Sequence, residues 1–247
     1  MTAGSAASRP GAARGRERPF SSTCLPVQHW SVQQTHHVSL AALKAERSQF
    51  GDEDVHFPES LVREVVEEFS QVGDRVLDPF AGFGTTLVVS ERMGRKAIGL
   101  ELLPERVAAI RARLGESATV ICGDARRVLE LVHGQVDLCL TSPPYMNAVD
   151  HPQNPLTGYR TLDGDYQVFL SSLTDVFAGV LTLLRPGGHL VINAANIRTG
   201  DVVTPLAWDI KRAVAAHADF LSQSTLEWDE PPDWLSEDYC MVFAKPS

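Results

Sequence analysis

Short apolar runs alternate with amphipathic stretches from about residue 75 to the end of the chain. A short run rich in Val, Leu and Ile indicates a buried strand, and apolar residues three and four positions apart indicate a helix. The predicted strands are Arg75–Phe80, Lys96–Leu102, Thr119–Cys122, Val136–Leu140, His189–Ala194, Phe220–Trp228 and Tyr239–Ala244. The predicted helices between them are Thr85–Met93, Pro104–Leu114, Ala125–Val132, Tyr166–Leu184 and Thr204–His217. This alternation predicts an α/β fold with a mostly parallel sheet between helices.

The N-terminal residues lack this pattern. Residues 1–26 are rich in Ala, Gly, Ser, Arg and Pro, and we interpret them as a disordered tail or as residues upstream of the natural start. The chain has 247 residues, so residues 27–247 are long enough to form one domain with a sizeable core. Three histidines follow the tail, His29, His36 and His37, but no cysteine or carboxylate lies at ligand spacing from them. We therefore predict no metal site.

The charge of the chain is unevenly distributed. The first twenty residues carry four arginines and one glutamate, which leaves the rest of the chain with a charge of −12 against a total of −9. A body this acidic does not favour nonspecific binding of a polyanion. The composition, 44% hydrophobic and 21% charged, is that of a soluble globular protein, and no run approaches the ~20 apolar residues of a membrane span. Four scattered cysteines favour reduced thiols and a cytoplasmic location.

The stretch Val136–Tyr145, VDLCLTSPPY, combines a buried strand with a stiff polar exit. Two prolines cannot continue a helix or donate to a sheet ladder, so Thr141 and Ser142 are held at the carboxyl end of the strand. Ligands bind at that edge of open α/β sheets. A fixed hydroxyl, the Pro143 carbonyl and the Tyr145 ring suit a planar group that carries an amino nitrogen. The alternative is a proline turn without a chemical role.

A glycine-rich turn and three acids point to a second ligand at the same edge. Asp78 begins the run DPFAGFGTT, in which Gly82 and Gly84 allow the backbone to approach a ligand before the next helix begins. Glu101 ends the second predicted strand, where an acid can accept hydrogen bonds from ribose hydroxyls. Asp124 follows the third strand, where it could meet an adenine amino group. Each acid could instead be a helix cap or a solvated strand end.

Together these motifs resemble the S-adenosylmethionine-dependent DNA amino-methyltransferases, over about residues 55–245. The run DPFAGFGTT is similar to the cofactor loop of that family, and TSPPY is similar to its catalytic motif in the form typical of cytosine-N(4) enzymes. The stretch HFPESLV is similar to the N-terminal cofactor motif. The resemblance implies a seven-stranded Rossmann-like sheet in which the last strand, around residues 239–244, runs antiparallel.

The resemblance also implies a set of site residues. Methyl transfer would depend on Ser142, Pro143, Pro144 and Tyr145, with the serine hydroxyl and the Pro143 carbonyl accepting hydrogen bonds from the substrate amino group. The cofactor, S-adenosyl-L-methionine, would be bound by His56, Pro58, Asp78, Phe80, Gly82, Gly84, Thr85, Glu101, Asp124 and Thr141.

We therefore expect a methyltransferase that acts on an exocyclic amino group of a base in DNA, with the N(4) position of cytosine as the expected target. No stretch resembles a separate target-recognition domain, so a partner protein could supply sequence specificity. One alternative is an N-methyltransferase that acts on RNA, protein or a small molecule, because the same geometry serves any planar nitrogen. Another is a methyltransferase-like subunit without catalysis, against which the complete motifs argue.

One connection is long enough to have its own role. The segment Met146–Asp165 follows the TSPPY motif and is polar and rich in Gly and Pro. Because it is too long for an ordinary connection in an α/β domain, we predict a lid or substrate loop.

Overall fold

The structure, a computed structural model, describes residue 1, residues 35–47 and residues 58–246. The α-helices within these residues are α1 (Leu40–Arg47), α2 (Glu59–Phe69), α3 (Thr85–Arg92), α4 (Pro104–Arg111), α5 (Val128–Leu131), α6 (Tyr166–Leu183) and α7 (Leu206–Val214). The strands are β1 (Thr35–Val38), β2 (Arg75–Asp78), β3 (Lys96–Glu101), β4 (Ala118–Cys122), β5 (Val136–Thr141), β6 (Leu184–Thr199), β7 (Val202–Thr204), β8 (Asp219–Trp228) and β9 (Leu235–Ala244). Two single 3₁₀ turns, Ala125–Arg127 and Pro155–Thr157, lie in connections.

The strands of the described residues form one sheet, in the order β1-β8-β9-β6-β5-β2-β3-β4, with β7 paired to the far end of β6. The strands β2 to β6 run parallel to one another, and β9 runs antiparallel to both β6 and β8. The chain order reverses between β2 and β5, which opens a crevice at the carboxyl ends of these two strands. The predicted Rossmann-like α/β fold with an antiparallel last strand is confirmed.

The sheet has more strands than the seven we predicted, because two short strands extend it. The strand β1 pairs in parallel with β8 at one edge, and its side chains alternate, with His36 and Val38 buried. The strand β7 pairs with β6 in a stretch where we predicted the start of a helix, and α7 begins only at Leu206. Both are three or four residues long, which is too short for a pattern of apolar positions to distinguish them from loops.

The turn predicted before β6, from Arg185 to Gly188, lies inside the strand as a bulge. In β5, Val136 pairs with Leu184 of β6, and Leu138 pairs with His189. The four β6 residues 185–188 therefore lie opposite a single β5 residue, Asp137. Gly187 in this bulge has a φ of +73°. The strand therefore begins five residues earlier than the apolar run alone indicates.

The long helix α6 covers one face of the sheet. Its Phe169, Leu173 and Phe177 are fully buried in the core, and Phe177 meets the ring of Phe80 edge-on at 6.4 Å. Among the described helices, α6 is the one with the length and hydropathy of a membrane span. Because its apolar face packs against the strands, the same composition is that of a core helix.

Several expectations concern residues that the structure does not describe. Residues 2–26 of the predicted tail, Cys24 among them, and His29 lie outside the described residues. The described residues from 35 onward belong to one compact unit. Of the three described cysteines, all free, Cys139 and Cys240 are buried and Cys122 is exposed. His36 contacts Glu64 (Nδ1 to Oε2, 2.9 Å), and the described residues contain no group of three or more His, Cys, Asp or Glu that could hold a metal ion.

Candidate active site

A cavity of about 410 Å³ opens at the carboxyl ends of β2, β3 and β5, in the crevice where the strand order reverses. It is lined both by residues predicted to bind a cofactor and by residues predicted to act in catalysis. These are Asp78, Phe80, Gly82, Thr85, Glu101, Ser142, Pro143, Pro144 and Tyr145. The fold thus brings together two motifs that are more than fifty residues apart in sequence.

Asp78 is the charged group at the centre of the crevice. Its side chain is 2% exposed, and its Oδ1 accepts hydrogen bonds from the Thr141 hydroxyl at 2.7 Å and from the Phe80 N–H at 3.1 Å. Burial raises the pKa of Asp78 to about 6, although both hydrogen bonds act to lower it. When such a buried carboxylate is ionised, a cationic partner stabilises it.

Glu101 holds the turn of the glycine-rich loop. Its Oε2 accepts from the Gly82 N–H and its Oε1 from the Leu103 N–H, both at 2.9 Å. Burial raises the pKa of Glu101, and the Arg106 charge opposes this rise. Each carboxylate oxygen can accept a second hydrogen bond, so Glu101 can bind hydroxyl groups without releasing the loop.

The two glycines of the loop have different surroundings, although both have positive φ. A Cβ added at Gly82 (φ +54°) would lie in open space, with only the Phe80 carbonyl oxygen within 4 Å, at 3.8 Å. A Cβ added at Gly84 (φ +81°) would lie 2.9 Å from Cγ2 of Ile110. Gly82 therefore leaves room for a ligand, whereas Gly84 permits close packing of α3 against α4.

Tyr145, at the end of the TSPPY motif, lines the same cavity as the glycine-rich loop. Its ring meets that of Trp234 edge-on, with centroids 5.8 Å apart, and its hydroxyl interacts with the Ser142 side chain and the Ala195 backbone. Burial, with the nearby charge of Asp238, raises the pKa of Tyr145, so the phenol is neutral. The ring is half-buried and forms one wall of the cavity.

A second buried carboxylate, that of Asp238, lies near Tyr145. Asp238, 4% exposed near the start of β9, accepts from the Asn193 side-chain amide at 2.7 Å and from the Trp228 indole N–H at 3.0 Å. Burial raises the pKa of Asp238 to about 6. Our sequence analysis missed the role of these three residues. The one signal for them is an acid directly before the apolar run of residues 239–244, and that run does not reveal its partner strands.

The long segment after TSPPY forms an additional wall of the cavity. Its residues Pro155, Leu156, Gly158 and Tyr159 line the cavity, on the side of the Leu102–Leu103 turn. The segment is tied to the sheet by a hydrogen bond from the Ala148 N–H to the Thr204 hydroxyl, at 2.8 Å. It thus borders the predicted cofactor region as well as the catalytic motif.

Four other predicted cofactor residues lie outside the cavity lining, and one is not described. Thr141 is fully buried and contacts the cavity only through Asp78. The Asp124 carboxylate is bound by the Arg126 guanidinium (Oδ2 to Nη2, 2.6 Å), and Pro58 caps α2. Gly84 has the packing role given above, and His56 lies outside the described residues. Direct contacts of these residues with a cofactor remain predictions.

Comparisons with known proteins agree with the motifs. Residues 19–112 match the family model for DNA methylases of the N6_N4_Mtase type. The type II methyltransferase M2.LlaDCHI of Lactococcus lactis subsp. cremoris is 39% identical over 62 residues, which are 25% of this chain and 23% of that protein. M.Cfr9I of Citrobacter freundii is 42% identical over 66 residues, 26% of this chain and 22% of that protein. Residues 19–112 are thus similar to DNA methylases of this type.

The match to this family has a limited extent. The aligned region spans about a fifth of the length of these relatives, and the matched residues 19–112 include the glycine-rich loop and Glu101 but end before Ser142. This similarity agrees with our predictions of a methyltransferase and of S-adenosyl-L-methionine as its cofactor.

Solved structures support the fold over a longer part of the chain. TrmN from Thermus thermophilus aligns with 76% of this chain and 49% of its own, with a TM-score of 0.55 and 20% identity. An rRNA methylase from Streptococcus thermophilus aligns with 78% of this chain and 99% of its own, with a TM-score of 0.53 and 12% identity. At these identities the likeness concerns the fold of the sheet and its helices.

Proposed function

We propose that the protein is an S-adenosylmethionine-dependent methyltransferase that acts on an exocyclic amino group of a base in DNA, with the N(4) position of cytosine as the expected target. The observation that carries this proposal is the shared cavity, which is lined both by the loop that is similar to DNA methylases and by the Ser142–Tyr145 segment. The form TSPPY supports cytosine N(4) over adenine N(6).

The cavity has the chemistry that the cofactor requires. The ammonium group of S-adenosyl-L-methionine would neutralise the buried Asp78 carboxylate, and its ribose hydroxyls would donate to Glu101. Gly82 leaves the loop open where the ligand must approach the backbone. When bound, the cofactor supplies a methyl group whose bond to the sulfonium sulfur breaks with both electrons staying on sulfur.

The Ser142–Tyr145 segment would act on the acceptor. The acceptor nitrogen is a weak nucleophile because its lone pair is delocalised into the ring, and hydrogen-bond acceptors near the amino group favour its tetrahedral form. The Ser142 hydroxyl and the Pro143 carbonyl would serve as these acceptors. As the nitrogen gains the methyl group it becomes positively charged, and its proton then leaves by way of these oxygens to water. Fixed positions of both reactants supply much of the rate.

The Tyr145 ring would hold the base in the cavity. Stacking of a base on an aromatic side chain is worth about 1–3 kcal/mol. A base in a duplex must leave the stack to enter such a cavity, which costs a few kcal/mol. Single-stranded or mismatched DNA is therefore the favoured form of the substrate in a first assay.

A second candidate function follows from the charge of the chain. The net charge is −9, and three of the acids, Asp229, Glu230 and Asp233, lie in the connection between β8 and β9 that also holds Trp234, which contacts the Tyr145 ring. A surface of this sign favours an acceptor that is not a polyanion, such as a protein or small-molecule amide, or DNA that a partner protein presents.

A methyl-transfer assay separates these functions. The purified protein is incubated with methyl-tritiated S-adenosyl-L-methionine and, in separate reactions, with cytosine-containing single-stranded DNA, duplex DNA, RNA and a cell extract. We expect label in DNA, recovered as N(4)-methylcytosine after digestion to nucleosides. Label in RNA or extract protein alone would favour the second function, and no transfer to any acceptor would contradict both.

A further inference from the structure

We propose that Asp238 is a positioning residue for the acceptor side of the site, which acts by fixing Asn193, Trp228 and Tyr145 in place and by setting a negative charge behind Tyr145. This inference rests on the proposed methyl transfer. It concerns residues that lie beyond the matched segment 19–112.

The first observation is the place of Asp238 in the sheet. Its two carboxylate oxygens bind side chains from the strands on either side of β9, Asn193 from β6 at 2.7 Å and Trp228 from β8 at 3.0 Å. The Asn193 amide also donates to the Tyr239 carbonyl at 3.0 Å. One carboxylate thus connects three neighbouring strands, β6, β9 and β8. A buried polar network in which every member is hydrogen-bonded is rigid.

The second observation is the path from this network to the TSPPY segment. Ala195 is the register partner of Asp238, and the backbone of Ala195 interacts with the Tyr145 hydroxyl. The same hydroxyl interacts with the Ser142 side chain. Asp238 therefore supports the backbone against which Tyr145 rests, and Tyr145 in turn orients the Ser142 hydroxyl.

The third observation is the charge. Burial raises the pKa of Tyr145 and of the Cys240 thiol, and the nearby charge of Asp238 adds to both rises. Among the groups that face Asp238, these two are titratable, while Asn193 and Trp228 are neutral donors. The acceptor nitrogen becomes positive during methyl transfer, so a fixed negative charge behind the Tyr145 wall stabilises that state more than the neutral ground state.

The network can be tested without any acceptor. The Trp228 indole donates to Asp238, so protonation of the carboxylate alters its fluorescence, and we expect a change in emission with a midpoint near pH 6 in the wild-type protein. This change in emission should be absent from Asp238→Asn. It should remain in the matched control Glu237→Gln, because the neighbouring Glu237 carboxylate accepts from Asn196 and not from Trp228. The same titration in both variants would overturn the link between Asp238 and Trp228.

The positioning role is tested by kinetics at saturating cofactor, with a cytosine-containing single-stranded oligodeoxynucleotide. We expect Asp238→Asn to lower kcat on the order of 100-fold, as small misplacements do, and to leave the Kd for S-adenosyl-L-methionine within about twofold. Wild-type kcat should fall below about pH 6, and in Asp238→Asn the part of this acidic limb due to Asp238 should be lost while any part due to Asp78 remains. Glu237→Gln should match the wild type in both respects.

The outcomes separate this inference from the function on which it rests. If the wild type transfers no methyl group to any acceptor, the proposed function fails, whatever the fluorescence titration shows. If the wild type is active and Asp238→Asn has the same kcat and pH profile, the inference about Asp238 fails alone. Should Asp238→Asn not fold, Trp228→Phe removes one of the two bonds to the carboxylate and should still lower kcat with the Kd for the cofactor unchanged.

Discussion

The Thr141 hydroxyl donates a 2.7 Å hydrogen bond to the Asp78 carboxylate across the point where the strand order of the sheet reverses. This bond joins the last residue of β2 to the last residue of β5. The next residue along the chain, Ser142, already belongs to the TSPPY motif, which we predict to be catalytic. Cofactor and acceptor sides of the cavity are thus separated by one peptide bond, and substitutions at the two positions should have different effects.

Replacement of Asp78 by asparagine is predicted to stabilise the protein at pH 7. The folded-state pKa of about 6 lies above the ordinary value of 3.8, so ionisation of the buried group costs stability as the pH rises between these values. A shift of this size corresponds to about 3 kcal/mol, which Asp78→Asn should recover at pH 7 and not at pH 4. Urea unfolding at both pH values measures this difference.

The matched control is Asp175→Asn, which removes an exposed carboxylate from α6 and should leave the difference between the two pH values unchanged. In the same Asp78 variant, calorimetry should show loss of S-adenosyl-L-methionine binding, because the ammonium group loses its charge partner. A variant that is less stable than the wild type at pH 7, or that binds the cofactor normally, would contradict the assigned role.

Replacement of each loop glycine by alanine is predicted to affect a different property, cofactor binding for Gly82 and stability for Gly84. Gly82→Ala should weaken cofactor binding about tenfold or more, because the new methyl group occupies open space in the cavity, and should cost only ~1–2 kcal/mol of backbone strain. Gly84→Ala adds an overlap with Ile110 to the same strain, so it should lower the free energy of unfolding by about 3 kcal/mol or more.

Calorimetric titration and urea unfolding of the two variants test this contrast, and each variant is the control of the other. Equal losses of stability, or normal cofactor affinity in Gly82→Ala, would show that the different surroundings of the two glycines do not govern their roles.

The sequence could indicate that the residues predicted for the cofactor side lie together, because that information is local. Asp78 and Glu101 each end a strand, and the carboxyl ends of parallel strands meet at one edge of a sheet, so strand assignment alone brings them together. The acceptor side depends instead on the antiparallel strand β9, which inserts between β6 and β8. Asp238 meets Asn193 only because of that register, which the pattern of apolar positions does not specify.

The long segment after TSPPY illustrates the same limit. Its length and polarity correctly placed it outside the regular elements, and a 3₁₀ turn is the regular structure it contains. Its position beside the Leu102–Leu103 turn follows from tertiary packing of Leu156 and Gly158, for which the sequence offered no signal. That segment 146–165 acts as a lid remains a prediction.

The contact between the two ends of residues 152–164 is predicted to depend on Gly164. The Gly164 N–H donates to the Pro152 carbonyl at 3.2 Å, and an added Cβ would overlap the His151 carbonyl oxygen, so Gly164→Ala should force the two ends of residues 152–164 apart. Leu156 and Tyr159 would then leave the cavity wall. We expect faster hydrogen exchange within residues 152–165 and about tenfold weaker cofactor binding.

Gly187→Ala is the control for this variant. Gly187 lies in the β6 bulge with φ +73° and nothing within 4 Å of an added Cβ, so its replacement costs backbone strain without an overlap. It should leave exchange in residues 152–165 and cofactor affinity unchanged. Identical exchange in Gly164→Ala and the wild type would exclude Gly164 as the closing contact.

Adjacent substitutions at the end of β5 are predicted to separate cofactor binding from methyl transfer. Thr141→Ala removes the hydroxyl bound to Asp78, so it should raise the Kd for S-adenosyl-L-methionine and have a smaller effect on kcat at saturation. Ser142→Ala removes an acceptor whose importance increases as the substrate nitrogen becomes tetrahedral, so it should lower kcat on the order of 100-fold and leave that Kd within about twofold.

Two variants of Tyr145 distinguish its ring from its hydroxyl in the same assay. Tyr145→Ala removes the stacking face, worth about 1–3 kcal/mol, and should raise KM for the DNA acceptor roughly tenfold to 100-fold. Tyr145→Phe retains the ring and loses only the contact of the hydroxyl with Ser142 and the Ala195 backbone, so it should lower kcat with little change in KM. If Ser142→Ala and both Tyr145 variants methylate the oligodeoxynucleotide as the wild type does, the TSPPY segment is a structural turn, because neither its acceptor nor its aromatic wall then contributes to the reaction.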